Sequence, residues 1–118
     1  MAQISFHDYH HVGHGNSQFW VDFDHSECQN ITAAAGPAAA AAASSMSTPA
    51  GGGIVGSAVS GSINRIREQD KGEGVRVCIT MWTGVGWPPH LPGIDIDVQS
   101  GHANADGGNS IGPVGFSI

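Results

Sequence analysis

The stretch TAAAGPAAAAAASSMSTPAGGGIVGSAVSGSIN, residues 32–64, contains no charged side chain and is built almost wholly from Ala, Gly and Ser. Its reading decides whether the chain is two strand clusters joined by a spacer or a sheet covered by helices. Residues 33–45 have high helix propensity, and Pro37 suits a first turn, so a first helix is expected to start there. Ser47, Thr48 and Pro49 then read as a stop followed by a new cap with Pro at the first helical position. From Ile54 onward, Val55, Ala58, Val59, Ile63 and Ile66 fall on one helical stripe. Gly53, Ser57 and Gly61 lie four apart on a neighbouring stripe. Small residues at that spacing let another helix backbone come close, and the Ala run or a second subunit is the expected neighbour. A flexible linker is the competing reading for residues 32–53.

Strands flank this insertion on both sides. Residues 4–12 and 17–25 alternate apolar and polar side chains, and GHGN at 13–16 supplies turn chemistry, so a β-hairpin is expected. With 13–16 as the loop, Phe6 faces Phe23, Tyr9 faces Trp20 and His7 faces Asp22. One face then carries Ile4, Phe6, Phe19, Val21 and Phe23, and the other carries His7, Tyr9, His11, Trp20, Asp22 and Asp24. Downstream, Val75, Val77, Ile79 and Met81 alternate with Arg76, Cys78, Thr80 and Trp82. Ile94, Ile96 and Val98 alternate with Asp95 and Asp97, and Val114, Phe116 and Ile118 close the chain. The expected architecture is α+β: an N-terminal hairpin, an Ala/Gly-rich helical hairpin, then about three strands. Residues 1–118 form a single domain in this reading, with helices on one face of a two-layer structure.

Composition narrows the function classes. Ten acids against four bases give a net charge of −6, and the four bases, Arg65, Arg67, Lys71 and Arg76, are confined to one short stretch. A nucleic-acid ligand needs a basic face to neutralise phosphates, so nucleic acid is not an expected partner. Docking on anionic lipid fails for the same reason. A helical hairpin in lipid would need about 20 predominantly apolar residues per span. Only residues 54–66 are convincingly apolar, which is too short for a span, and a pore-forming or bacteriocin-like role for the hairpin stands as an alternative beside a metal site. The first residues lack a basic and an apolar signal region, so synthesis in the cytoplasm is expected, with release in an assembly left open. Two cysteines, Cys28 and Cys78, cannot frame a disulfide scaffold, and a pair of buried thiols is expected.

Candidate chemistry is sparse. His7, His11 and Asp22 project from one hairpin face in the expected register, and that donor set suits zinc or another divalent ion. No HExxH or CxxC spacing accompanies them. Residues 95–108 are rich in oxygen donors, but an EF-hand loop needs Gly at its sixth position and Glu at its twelfth, where this chain has Ser100 and Asp106. Ser57 and Ser60 do not form a GxSxG elbow. No charge beside Cys78 obviously lowers its pKa, and Glu27 beside Cys28 opposes a thiolate. Trp82, Trp87 and Leu91, held in a proline-rich segment, form a candidate interaction loop for a protein or sugar. No cofactor is expected apart from the zinc that the hairpin could hold. The leading expectation is a non-enzymatic subunit of a homo-oligomeric assembly, because sparse charge leaves little repulsion between copies.

Overall fold

Alternating apolar side chains build a sheet here, and the uncharged stretch builds its cover. A computed structural model describes residues 1–11, 14–46, 49–82, 93–101 and 109–118, with the backbone alone at 8–11, 14–16, 49–50, 82 and 109–111. Strand β1 (Ala2–His11) pairs antiparallel with β2 (His14–Phe23), and β3 (Val75–Trp82), β4 (Gly93–Ser100) and β5 (Asn109–Phe116) complete an antiparallel sheet in the order β4-β3-β2-β1-β5. Between β2 and β3 lie α1 (His25–Asn30), α2 (Ala35–Ser44), α3 (Pro49–Ser60) and α4 (Ile63–Gln69). The fold is α+β with an open sheet.

The hairpin register differs from the expectation. Phe6 lies opposite Phe19, Ser5 opposite Trp20 and His7 opposite Gln18, and the pairing extends to His11 with His14. His14, Gly15 and Asn16, expected in the loop, belong to β2. The displacement is four residues, an even number, and side chains alternate with period two. The described strand residues therefore keep their expected faces: Ile4, Phe19, Val21 and Phe23 are fully buried under the helices, and His7, Trp20 and Asp22 share the other face.

Two helical features depart from the reading. Helix α1 begins at His25, expected as the end of the second strand, and runs through residues for which no element was expected. It starts because Asp24 accepts from the Glu27 backbone N–H while the Glu27 carboxylate accepts from the Asp24 N–H, a reciprocal cap. The single second helix is instead split. Ser62 N–H donates to Val59 O in a tight turn, and Ile66 N–H restarts the ladder from Ser62 O. Ser60, Gly61 and Ser62 are poor helix formers, which localises the break.

Ala35, Ala39 and Ala43 of α2 join Val55, Ala58 and Val59 of α3 and Ile66 of α4 against Phe19, Phe23, Val75, Val77 and Ile79 of the sheet. Burial of each Val, Ile or Phe contributes about 1.5–3 kcal/mol. Helices α2 and α3 touch through small residues, but not through the expected set. A Cβ on Gly56 would lie 2.9 Å from Ala40 Cβ and 3.3 Å from Gly36 O, and one on Gly52 would lie 2.8 Å from Ala40 O. Gly53, Ser57 and Gly61 are exposed, and a Cβ on Gly53 would meet nothing within 4 Å. The contact with α2 thus uses the small-residue stripe one residue earlier, at the same spacing of four, and leaves the expected stripe exposed. One residue is about 100° of helix rotation, and the buried Val55–Val59 stripe fixes that rotation.

Opposite signs are therefore expected for two glycine substitutions. Gly56→Ala destabilises the fold by about 1–3 kcal/mol through overpacking, whereas Gly53→Ala stabilises by up to about 1 kcal/mol through helix propensity. Urea denaturation of both variants checks the two signs.

Candidate functional site

The sheet face away from the helices holds a polar cluster built on Trp20. From β1, the His7 ring stacks on the indole at 3.5 Å between centroids, and from β3 the Arg76 guanidinium carbon sits 4.4 Å from the ring centroid. Register places them there. Trp20 lies directly opposite Ser5 and Cys78, so His7 and Arg76 are its diagonal neighbours on the two adjoining strands. Trp20 Nε1–H donates to Gln18 Oε1 at 2.9 Å, and Ser5 Oγ is hydrogen-bonded to His7 Nε2 at 2.9 Å. Arg76 donates from Nε to Asp22 Oδ1 at 2.7 Å and from Nη2 to Oδ2 at 3.2 Å, a two-pronged pair that fits guanidinium to carboxylate.

The cluster is tightly closed for a sheet face on which the described residues place no helix. Trp20 is 6 % exposed, Arg76 7 % and His7 8 %. The indole is covered by its two diagonal neighbours, and Asp22 offsets the Arg76 charge. Such an arrangement stiffens β1, β2 and β3 against one another and does not present the Trp20 ring as a stacking platform. Burial is the main cause that lowers the His7 pKa below its ordinary 6.5, and Arg76 adds to it while Asp22 opposes it.

The metal-ligand candidates are placed differently from the expected cluster. His7 and Asp22 share this face, but they lie four residue pairs apart, on either side of the Ser5–Trp20 pair, and Asp22 is engaged by Arg76. His11 is in β1, its side chain outside the described residues. Among the described residues no three His, Cys, Asp or Glu side chains converge as a metal site. Trp82 ends β3, while Trp87 and Leu91 of the candidate interaction loop fall outside the described residues. Both cysteines are free; burial, then Asp70, Asp24 and Glu27, pushes the Cys28 thiol up to about 12, and burial also raises Cys78. No helix among the described residues is long and apolar enough to cross a membrane.

A second polar site lies where α1 meets the turn after α4. Asp70 Oδ2 accepts from His25 Nδ1 at 2.6 Å and Gln29 Nε2 at 2.8 Å, and Oδ1 accepts from the N–H groups of Gly72 at 3.1 Å and Gly74 at 3.2 Å. Ionised Asp accepts only, so His25 Nδ1 carries the proton in this contact. His25 and Gln29 reach one carboxylate because they sit four apart on a helix. The hydrogen bonds, led by that from Gln29, lower the Asp70 pKa to about 2. The pair is a staple between α1 and the β3 approach. Sequence reading missed it because residues 25 and 70 are far apart in the chain, although the Asp24–Glu27 cap signal was present.

A third feature is an apolar groove of about 570 Å³ between α3 and the outer strand β4, lined by Gly53, Ile54, Ser57, Ala58, Ile94 and Ile96. Ile94 is 54 % exposed there.

Two pH dependences are expected. The His7 contribution is complete above about pH 6.5, the ordinary value, and is lost as pH falls towards the lowered folded value, because the unfolded chain then binds the proton more readily. Thermal melts of His7→Gln should therefore show a smaller loss of Tm between pH 7 and pH 5 than the unsubstituted chain. Asp70 stabilises above its ordinary value near 3.8, and its contribution disappears as pH falls through about 2. Asp70→Asn should melt lower at pH 7 and show a flatter acid limb between pH 4 and pH 2. In comparisons with family models, curated proteins and solved structures, this chain matches none.

Proposed function

We propose that this chain is a non-enzymatic structural or partner-binding subunit of a homo-oligomeric assembly. The groove between α3 and β4 carries the reading, because it leaves Ile54, Ile94 and Ile96 without full cover beside an outer strand. Exposed apolar surface at a strand edge is the usual substrate of association. A second copy is the occupant that the charge distribution favours. The chain carries a net charge of −6, and residues 32–64, which supply one wall of the groove, carry none. Two copies meeting at that wall bring no carboxylate of the helical layer into contact. Uncharged surface is also the least costly to desolvate.

Light scattering across a concentration series tests the reading. The mass is expected to rise above the 12.1 kDa of one chain as concentration increases, and Ile94→Lys is expected to hold it near that value. A single-chain mass at every concentration would sink the proposal.

A further inference from the structure

We infer that association is head-to-tail: the β4 edge and its groove receive the β5 edge of the next copy, so that the sheet continues from subunit to subunit. This inference rests on the self-association proposed above and adds its geometry. Among the described strands β4 and β5 are the two outermost, and each is eight residues long. Their apolar side chains point to the same side. Ile94 and Ile96 lie opposite Met81 and Ile79, and Val114 and Phe116 lie opposite Ile4 and Ala2, so both sets share the helix-covered face. The exposed large apolar residues separate accordingly. Ile94, 54 % exposed, marks one edge, and Val114, 39 % exposed, marks the other.

Charge selects between the possible pairings. Asp95 and Asp97 are exposed on the opposite face of β4. A two-fold β4–β4 junction would set those two acids beside the same two acids of its partner, and like charges directly across a strand pair destabilise it. Residues 109–118 contain no ionisable side chain, so β5 beside β4 brings no second acid. A β5–β5 junction would include Pro113, which lacks an N–H, from both copies, whereas β4–β5 includes it once.

Strand direction then fixes the junction. β4, β2 and β5 run one way and β3 and β1 the other, so a copy added with its helices on the same side pairs β4 with β5 in parallel. At about 4.8 Å per strand, each copy adds about 24 Å. Head-to-tail contact yields rings when the rotation closes and filaments when it does not. The right-handed strand twist, roughly 20–25° per strand, makes each added copy turn and so rules out a flat ribbon.

The test uses two variants of the full chain, Ile94→Lys to block the acceptor edge and Val114→Lys to block the donor edge. Circular dichroism first confirms that both fold, and Ile94→Ser with Val114→Ser serves as a milder pair. Each variant alone should stay at single-chain mass. Their equimolar mixture should double that mass, because each retains the edge the other lacks, and should grow no further. A mixture that stays at single-chain mass, or either variant pairing with itself, overturns the head-to-tail geometry while leaving self-association standing. An unsubstituted chain that never exceeds single-chain mass overturns the proposed function itself.

Discussion

The backbone of α3 lies against that of α2 at Gly56 and Gly52, and the width of the helical layer follows from this approach. Side chains larger than Ala at the crossing would push the helices apart. The sheet beneath offers a fixed row of Phe19, Phe23, Val75, Val77 and Ile79, and a wider helical layer would carry Val55 and Val59 off that row. Close packing of this kind replaces the large side chains that the chain lacks, for Leu91 is its only leucine. Contact between many small groups at short range supplies the dispersion energy that fewer, bulkier groups supply elsewhere.

The composition that made residues 32–64 resemble a spacer is thus a requirement of the crossing. The strands and both helical segments were legible because side-chain periodicity is a local property, fixed by the period of two or of 3.6. Faces survived an error in register for the same reason: Trp20 and His7 stayed together after a displacement of four residues. The buried stripe of α3 was legible, but which small-residue stripe meets α2 was not. Two small-residue stripes, one through Gly52 and Gly56 and one through Gly53 and Ser57, run side by side, and only the position of Val55 and Val59 over the sheet distinguishes them. Tertiary pairs such as Arg76 with Asp22 and His25 with Asp70 were hidden because nothing local announces which distant strand or turn a charge will meet.

The two faces of the sheet achieve cohesion by different means. Beneath the helices the contacts are apolar and largely indifferent to pH. On the other face Trp20 is held between an imidazole and a guanidinium whose charge is matched by Asp22. That arrangement draws its strength from a neutral His7 and a desolvated ion pair, so it is coupled to solvent conditions in a way the apolar face is not. The Asp70 staple sets a second, more acidic limit where α1 meets the turn after α4.

The pairing of Ala2 with Phe116 has a consequence for how the chain comes to be folded. β1 and β2 are neighbours in sequence, as are β3 and β4, but β1 gains its outer neighbour only when the last strand arrives. At translation rates of about 5–20 residues per second, the interval between emergence of β1 and emergence of β5 is roughly 5–20 s. Throughout that interval the N-terminal hairpin stands with one side of β1 unpaired, and Phe23 lacks the edge of the Phe116 ring that later lies 6.4 Å away. Closure of a loop this long makes the final strand a slow step. A ribosome that pauses before residue 109 would therefore hold a nascent chain whose first strand, not its last, is the segment most exposed to the wrong neighbour.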